Sequence, residues 1–380
     1  MSKTMTSRER VLTALHHQEP DRVPTALWGS YYTLWDETYF NLLKHLGMTA
    51  PVEPFRRLRG HNSNYYDDRI LNYLDTDIRY VWLGFTDLGG PQPGTGVDAW
   101  GVRWERRGPY MSAVEHPLAN ATVEDLEDYA WPNVERLIRV DELRTRLRTL
   151  QNVGKYAIAA RAVCSYGPFE QAQAMRGRVQ FLMDLIDNPE FVQRIMQKVT
   201  QIIKHLTEIY LDIAGDVIDL MEIPGDDYGG TNNLLISPQA FNRYIKPNLY
   251  EIVQLVKSYR KDIAVVFHSD GAVAPLLESF IELGIDVFHP LEPLPANDHD
   301  AIKATFGDRL TFLGAIDIKK AMPGSVDDVE AEVRRRIHSL GKGGGYIIAP
   351  ANHLQHDVPA ENIVALYQAA KRYGSYPIHV

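Results

Sequence analysis

Ile263-Ala264-Val265-Val266-Phe267 is an unbroken apolar run that ends in His268-Ser269-Asp270. Gly284-Ile285-Asp286-Val287-Phe288-His289-Pro290 repeats the form after an amphipathic stretch. Short, β-branched and apolar at successive positions, such runs read as strands of a parallel sheet covered on both faces. Outward from this pair the same event recurs at Val23 to Trp28, Ile78 to Leu83, Tyr156 to Val163, Val217 to Ile223, Leu310 to Leu313 and Tyr346 to Ile348. Helical patterns separate most of them. Eight strand candidates alternating with helices predict an α/β fold, a single (β/α)8 TIM-type barrel occupying residues 1–380 as one domain. Trp100 to His116 breaks the alternation with short, polar, turn-rich sequence, which predicts an inserted β-hairpin spanning about 98–118.

Helix starts are marked by capping residues. Asn188-Pro189 and Ser237-Pro238 each place a capping side chain before a proline at the first helical position. Thr6 with Glu9, Thr122 with Asp125 and Ser325 with Asp328 add an acidic residue in the first turn. These features set boundaries and carry no chemistry.

Composition excludes several classes. With 380 residues, 45% apolar and 23% charged, the chain has the make-up of a soluble globular protein. Forty basic against forty-nine acidic residues, net −9, offer no general attraction to nucleic acid or an anionic membrane surface. The single Cys164 excludes an internal disulfide and a multi-cysteine metal cage, and suits a reducing cytoplasm. No apolar stretch approaches the roughly 18 residues of a membrane span. The opening residues Met1 to Arg10 are too polar for a signal peptide. No G-x-G-x-x-G follows an early strand, so a dinucleotide fingerprint is missing.

In a barrel of this kind the functional side chains sit at the C-terminal strand ends. His268 and Asp270, two residues apart in an extended segment, project to one side. Together they can bind a divalent metal, with Glu222 on the neighbouring strand and His353 as further ligands. The plainer alternative is that Asp270 caps the next helix and His268 bonds locally. Glu222 closes an apolar strand, where a buried carboxylate needs a metal, an arginine or a proton. Asp226 and Asp227 follow Gly225, where turn hydrogen bonding explains them as readily as catalysis. A dense aromatic group includes Trp28, Tyr31, Tyr32, Trp35, Tyr65, Tyr66, Tyr80 and Trp82, which suits either core packing or a flat apolar substrate.

Taken together, the motifs resemble the uroporphyrinogen decarboxylase superfamily. The resemblance is carried by Thr6-Ser7-Arg8-Glu9-Arg10-Val11-Leu12, Glu19-Pro20-Asp21-Arg22-Val23-Pro24, Gly225-Asp226-Asp227 and Ile236-Ser237-Pro238. It continues through Gly284 to Pro290, Phe306-Gly307-Asp308-Arg309-Leu310, Gly343 to Pro350, His353 and Val358-Pro359-Ala360-Glu361-Asn362. The resemblance implies a (β/α)8 barrel and two chemistries, tetrapyrrole decarboxylation or methyl transfer involving corrinoid proteins or thiols. Where the decarboxylases carry arginines after the first strand, this chain has Trp28-Gly29-Ser30-Tyr31-Tyr32, which lacks bidentate partners for a polycarboxylate. The thiol methyltransferases hold zinc with a histidine and two cysteines. Here His268 matches the histidine, Asp270 stands at the first cysteine, and Asn352-His353 lie near the second. Harder ligands suit a metal that polarises an oxygen.

The expected activity is therefore a zinc-dependent methyltransferase, moving a methyl group from a methylated small molecule such as a methoxylated aromatic to a corrinoid carried by a partner protein. His268, Glu222 and Asp270 are the expected zinc ligands, and Asp226, Asp227 and His353 the catalytic candidates. Trp28, Tyr31, Asp77, Tyr80 and His289 are the substrate-binding candidates. A cytoplasmic setting and a homodimer are compatible with this reading, and neither nucleic acid nor membrane is expected as a partner. The alternatives are a metal-free decarboxylase using Asp77 and His353, or a non-catalytic tetrapyrrole or corrinoid binder.

Overall fold

The structure is a computed structural model that describes residues 4–29, 34–55, 62–85 and 96–378. Seven parallel strands form one curved sheet in chain order: β1 Ile78–Val81, β2 Ala157–Ala160, β3 Leu220–Glu222, β4 Ala264–His268, β5 Val287–His289, β6 Thr311–Ile316 and β7 Tyr346–Pro350. Every residue of these strands is buried, as unbroken apolar runs demand of a sheet covered on both faces.

The remaining strand candidate, Val23 to Trp28, makes no ladder of its own but lies between the two edges of the sheet. Toward β7, Ala26 N–H donates to the Ile348 carbonyl (3.0 Å) and Ile348 N–H to the Pro24 carbonyl (2.9 Å). Toward β1, Asp77 N–H donates to the Thr25 carbonyl (2.8 Å). Pro24 supplies no N–H, so a continuous ladder cannot run through this segment. The segment is also held by the C-terminal part of the chain: Val23 N–H donates to the Gly374 carbonyl (2.8 Å) and Tyr367 Oη to the Ala26 carbonyl (2.9 Å).

The helices start where the capping residues put them. Asn188 accepts from Phe191 N–H at the head of the 26-residue helix Pro189–Ala214, whose apolar stripe from Phe191 to Leu211 is buried. Capping boxes close Thr6 on Glu9 and Ser325 on Asp328. Among the described residues, no helix is long and apolar enough to cross a membrane.

Arg103–Arg107 and Tyr110–Glu115 pair antiparallel around Gly108, which takes the left-handed conformation (φ 61°) the turn requires. This hairpin leans on the loops beyond the strand ends. Trp104 stacks on Tyr166 after β2, and Tyr110 meets Trp35 edge-on at 5.6 Å while its hydroxyl donates to Gln355 after β7 (3.0 Å).

At the N-terminal end of the sheet a buried polar cluster sits under β1. The fully buried Asp77 carboxylate accepts from Arg10 (2.6 Å), from both Arg22 nitrogens (2.8 and 3.1 Å) and from Thr25 N–H (2.8 Å). It precedes β1, so it lies at the opposite end from the residues that close β3, β4 and β5. Its expected contact with substrate is replaced by a structural ion cluster.

Candidate metal centre

Glu222, His268 and His289 are the last residues of β3, β4 and β5, and the parallel register sets His268 opposite His289. The loops that follow bring Asp227 and Asp270 to the same place. Gly225 makes this possible, because a Cβ there would lie 2.5 Å from the His268 carbonyl oxygen and 2.8 Å from its Cβ. Only a bare backbone lets the chain after β3 turn against His268 and carry Asp227 past it.

His268 Nε2 stands 3.7 Å from Asp270 Oδ1 and 3.8 Å from Asp227 Oδ1. Potential ligand atoms of these three residues all lie within 4.8 Å of one another. Donors around a tetrahedral zinc at about 2.0–2.2 Å stand roughly 3.3–3.6 Å apart, so closing this set onto a metal needs only small movements. One imidazole and two carboxylates form a borderline-to-hard donor set of the kind zinc accepts.

Neighbouring groups orient the three. Asp270 N–H donates to Asp227 Oδ1 (2.7 Å), and the Asn352 amide donates to Asp270 Oδ2 (2.7 Å), which leaves Asp270 Oδ1 toward His268. Burial holds the Asp270 pKa well above the usual carboxylate range, and the charges of Asp227 and Glu292 push the same way. Glu170 is raised likewise by burial, then by Asp227 and Asp226. Burial lowers His268, against the pull of Asp227 and Glu222. Crowded carboxylates around a neutral imidazole are the electrostatic situation a divalent cation relieves.

The expected residues divide as follows. His268 and Asp270 come together as two potential ligands. Asp227, expected as a catalytic residue, joins them as the third potential ligand. Glu222 does not join the cluster: its carboxylate pairs with Arg161 (3.2 Å) and accepts Ala162 N–H (3.2 Å), so the buried charge is answered by an arginine. Asp226 is tied up at the start of helix Pro168–Arg176, accepting from Phe169 N–H (3.1 Å), Glu170 N–H (2.8 Å) and Tyr228 Oη (3.1 Å). Burial nevertheless pushes its pKa up to about 7. Its part is that of a helix cap, and a Cβ on Gly167 would fall 2.4 Å from its Oδ2.

His353 stacks on Trp35 at 6.0 Å, and burial followed by the nearby His268 brings its pKa down to about 4. Trp28, Tyr80 and His289, expected to touch substrate, expose no surface. Arg161 lies 4.1 Å over the Trp28 ring, Trp28 meets Tyr80 edge-on at 5.6 Å, and Tyr80 donates to the Leu27 carbonyl (2.7 Å). Trp28 also lies 6.4 Å from the His289 ring. Tyr31 and Tyr32 lie outside the described residues. A cavity of about 240 Å³ opens beside Asp270, lined by Thr231, Glu292, Ile318, Lys319 and Asn352 among others.

Sequence reasoning missed Arg161 and Glu170. Arg161 was visible as the one charge inside the run Tyr156 to Val163. Glu170 looks like an ordinary first-turn acid of a helix, and nothing local marks it as facing Asp227.

The profile of the family described as uroporphyrinogen decarboxylase (URO-D) matches residues 87–373. A uroporphyrinogen decarboxylase of Aliarcobacter butzleri is 21% identical over 188 residues, which is 50% of this chain and 50% of that protein, so the chain spans about half the length of the curated relative it matches. A methyltransferase from Methanosarcina mazei superposes with a TM-score of 0.65 at 18% identity, over 97% of this chain and 99% of that one. At that identity the likeness is one of fold. The family match covers most of the chain, from before β2 to the end of the last helix, and on that ground this protein belongs to the uroporphyrinogen decarboxylase (URO-D) family.

Proposed function

We propose that this protein is a zinc-dependent methyltransferase, built as one (β/α)8 barrel domain closed by the segment Val23 to Trp28. It would take a methyl group from a methylated small molecule, with methoxylated aromatics as the first class to test, and pass it to a corrinoid held by a partner protein. The observation that carries the reading is the His268–Asp227–Asp270 cluster at the C-terminal strand ends. When bound, zinc would supply Lewis acidity toward an ether oxygen, easing departure of the phenolate.

The chain's own residues do the rest. Asn352 orients Asp270, and the Asp270 N–H orients Asp227. The cavity beside Asp270 gives a small substrate an approach to the ligands. Trp35 and His353, beside the hairpin tip, would wall the other side.

The metal-free decarboxylase reading has less support, since Asp77 precedes β1 while His353 follows β7, at the opposite end of the sheet. The test is zinc analysis of the purified protein, followed by incubation with a panel of methoxyaromatics and free or protein-bound cob(I)alamin. Stoichiometric zinc and methylcobalamin formation, read by absorbance, are expected. Carbon dioxide release from a carboxylated substrate without zinc would overturn the reading.

A further inference from the structure

The helix Val326–Arg336 runs on through one π-helical turn, Ile337–Gly341, before the chain enters β7. Single π turns attached to α-helices occur frequently at functional sites. Beside this turn opens a cavity of about 410 Å³, lined by Arg334, Arg335, Ile337, His338, Tyr373 and Ile378 among others. It is larger than the cavity beside Asp270, and none of the described residues that line it carries a carboxylate. Because the turn leads into the start of β7, the cavity lies at the opposite end of the sheet from Asn352 and the metal cluster.

The C-terminal part of the chain holds one wall of the cavity in place. Tyr376 Oη donates to the Gly341 carbonyl (2.6 Å), and a Cβ on Gly341 would lie 2.5 Å from Ile378 Cδ1. The helical wall carries more positive charge than its surroundings answer. Glu330 accepts from Tyr373 Oη and from Arg372 (2.9 Å). Glu332 is held by Arg336 (2.8 and 3.3 Å) and by the Asp317 N–H (3.2 Å), and Arg335 reaches it at 3.4 Å. Arg334 makes no ion pair among the described residues, and its guanidinium stands over the Tyr373 ring, 5.2 Å from the centroid. The helix dipole favours cations in a last turn, but it accounts neither for the cavity nor for an arginine laid on an aromatic face at its edge.

We propose that this cavity is a binding site for a phosphate-bearing small molecule with a planar apolar part, of which a mononucleotide is the simplest case. Arg334 and Arg335 supply guanidinium forks, which match phosphate oxygens bidentately, and His338 adds a ring nitrogen one turn on. The Tyr373 ring with Ile337 and Ile378 gives the planar part an apolar wall. The volume lies within the roughly 300–1,000 Å³ of small-ligand pockets. In a chain of net charge −9, arginines in surplus over their carboxylates mark a place where an anion is drawn to the surface. The site is separate from the proposed zinc centre and stands whether or not that reading does.

The experiment titrates the full chain with ADP, pyrophosphate and adenosine by calorimetry, in magnesium-free buffer at low ionic strength. ADP is expected to bind with unit stoichiometry, pyrophosphate more weakly and adenosine not measurably. Arg334→Ala and Arg335→Ala, both at exposed positions, should each weaken ADP about tenfold, the worth of a charge-assisted hydrogen bond. Tyr373→Leu should weaken ADP and leave pyrophosphate unchanged. Arg309→Ala, which removes a half-exposed arginine paired with Glu278 outside the cavity, should change nothing. No binding of ADP by the wild type, equal losses in Arg309→Ala and Arg334→Ala, or ADP affinity unmoved in both cavity variants would each overturn the proposal. Pyrophosphate as tight as ADP, with Tyr373→Leu affecting neither, would overturn the planar part of it. Thermal unfolding checks the fold of each variant, and Ile378→Ala takes the place of Tyr373→Leu if the latter does not fold.

Discussion

Asn352 donates its side-chain amide to Asp270 Oδ2 at 2.7 Å, joining the loop after β7 to the loop after β4. The bond occupies one carboxylate oxygen and turns the other toward His268. Asn352→Leu should therefore weaken zinc about tenfold or more without changing its stoichiometry at saturation. Isothermal titration of the apo protein reads this directly, and an unchanged dissociation constant would remove Asn352 from the support of the site.

Glu222 and Asp227 should behave oppositely. Asp227→Ala should lose stoichiometric zinc in a folded protein. Glu222→Ala should keep zinc but lose stability, because the buried Arg161 would lose its carboxylate, at a cost of about 3 kcal/mol. Chemical denaturation together with metal analysis of both variants distinguishes ligand from ion-pair partner.

Asp77 anchors Arg10 and Arg22 under the opposite end of the sheet. Asp77→Ala should cost about 3 kcal/mol, because Arg22 loses its buried carboxylate partner while Arg10 keeps Asp21. Zinc affinity should not move. A fall in affinity without a fall in stability would return Asp77 to the functional site.

His299, which is not one of the three potential ligands, gives a pH prediction. Burial, then Arg336, brings its folded pKa down to about 4 from 6.5. Between those values the unfolded chain binds a proton that the folded chain refuses, so stability falls as pH drops from 6.5 toward 4. The contribution is on the order of 3 kcal/mol. His299→Gln should flatten the denaturation-midpoint profile in that window, and an unaltered slope would rule the residue out as the cause.

Trp35 stacks on both His353 and His356, with ring centroids at 6.0 and 5.5 Å. Trp35→Ala should hydrate His353 and move its pKa upward from about 4 toward the 6.5 of an exposed histidine. Proton NMR titration of the imidazole signals checks it. No movement would assign the depression to His268 in place of burial.

Much of the frame was legible because burial on both faces writes itself as apolar runs: seven of the expected strands pair in chain order. The run from Val23 to Trp28 was legible as buried and extended, yet Pro24 kept it from a full ladder. His268 and Asp270 could be read from their spacing, since alternate residues of an extended chain share a side. The choice between Glu222 and Asp227 could not. It depends on the path of a loop bent against His268 at Gly225, and on Arg161 from another strand answering the Glu222 charge. Asp77 misled for a related reason: a carboxylate beside a strand is functional or structural according to which end it occupies.

The stitching of Val23 and Ala26 to Gly374, Tyr367 and Ile348 has a consequence for the birth of the molecule. At roughly 5–20 residues per second, the ribosome needs on the order of tens of seconds to deliver those partners. Through that interval Val23, Leu27 and Trp28 emerge with no sheet edge from β7 to join. The nascent chain must carry this apolar segment, bonded at most toward Asp77, through most of its translation. Slowing translation late in the message would lengthen that interval.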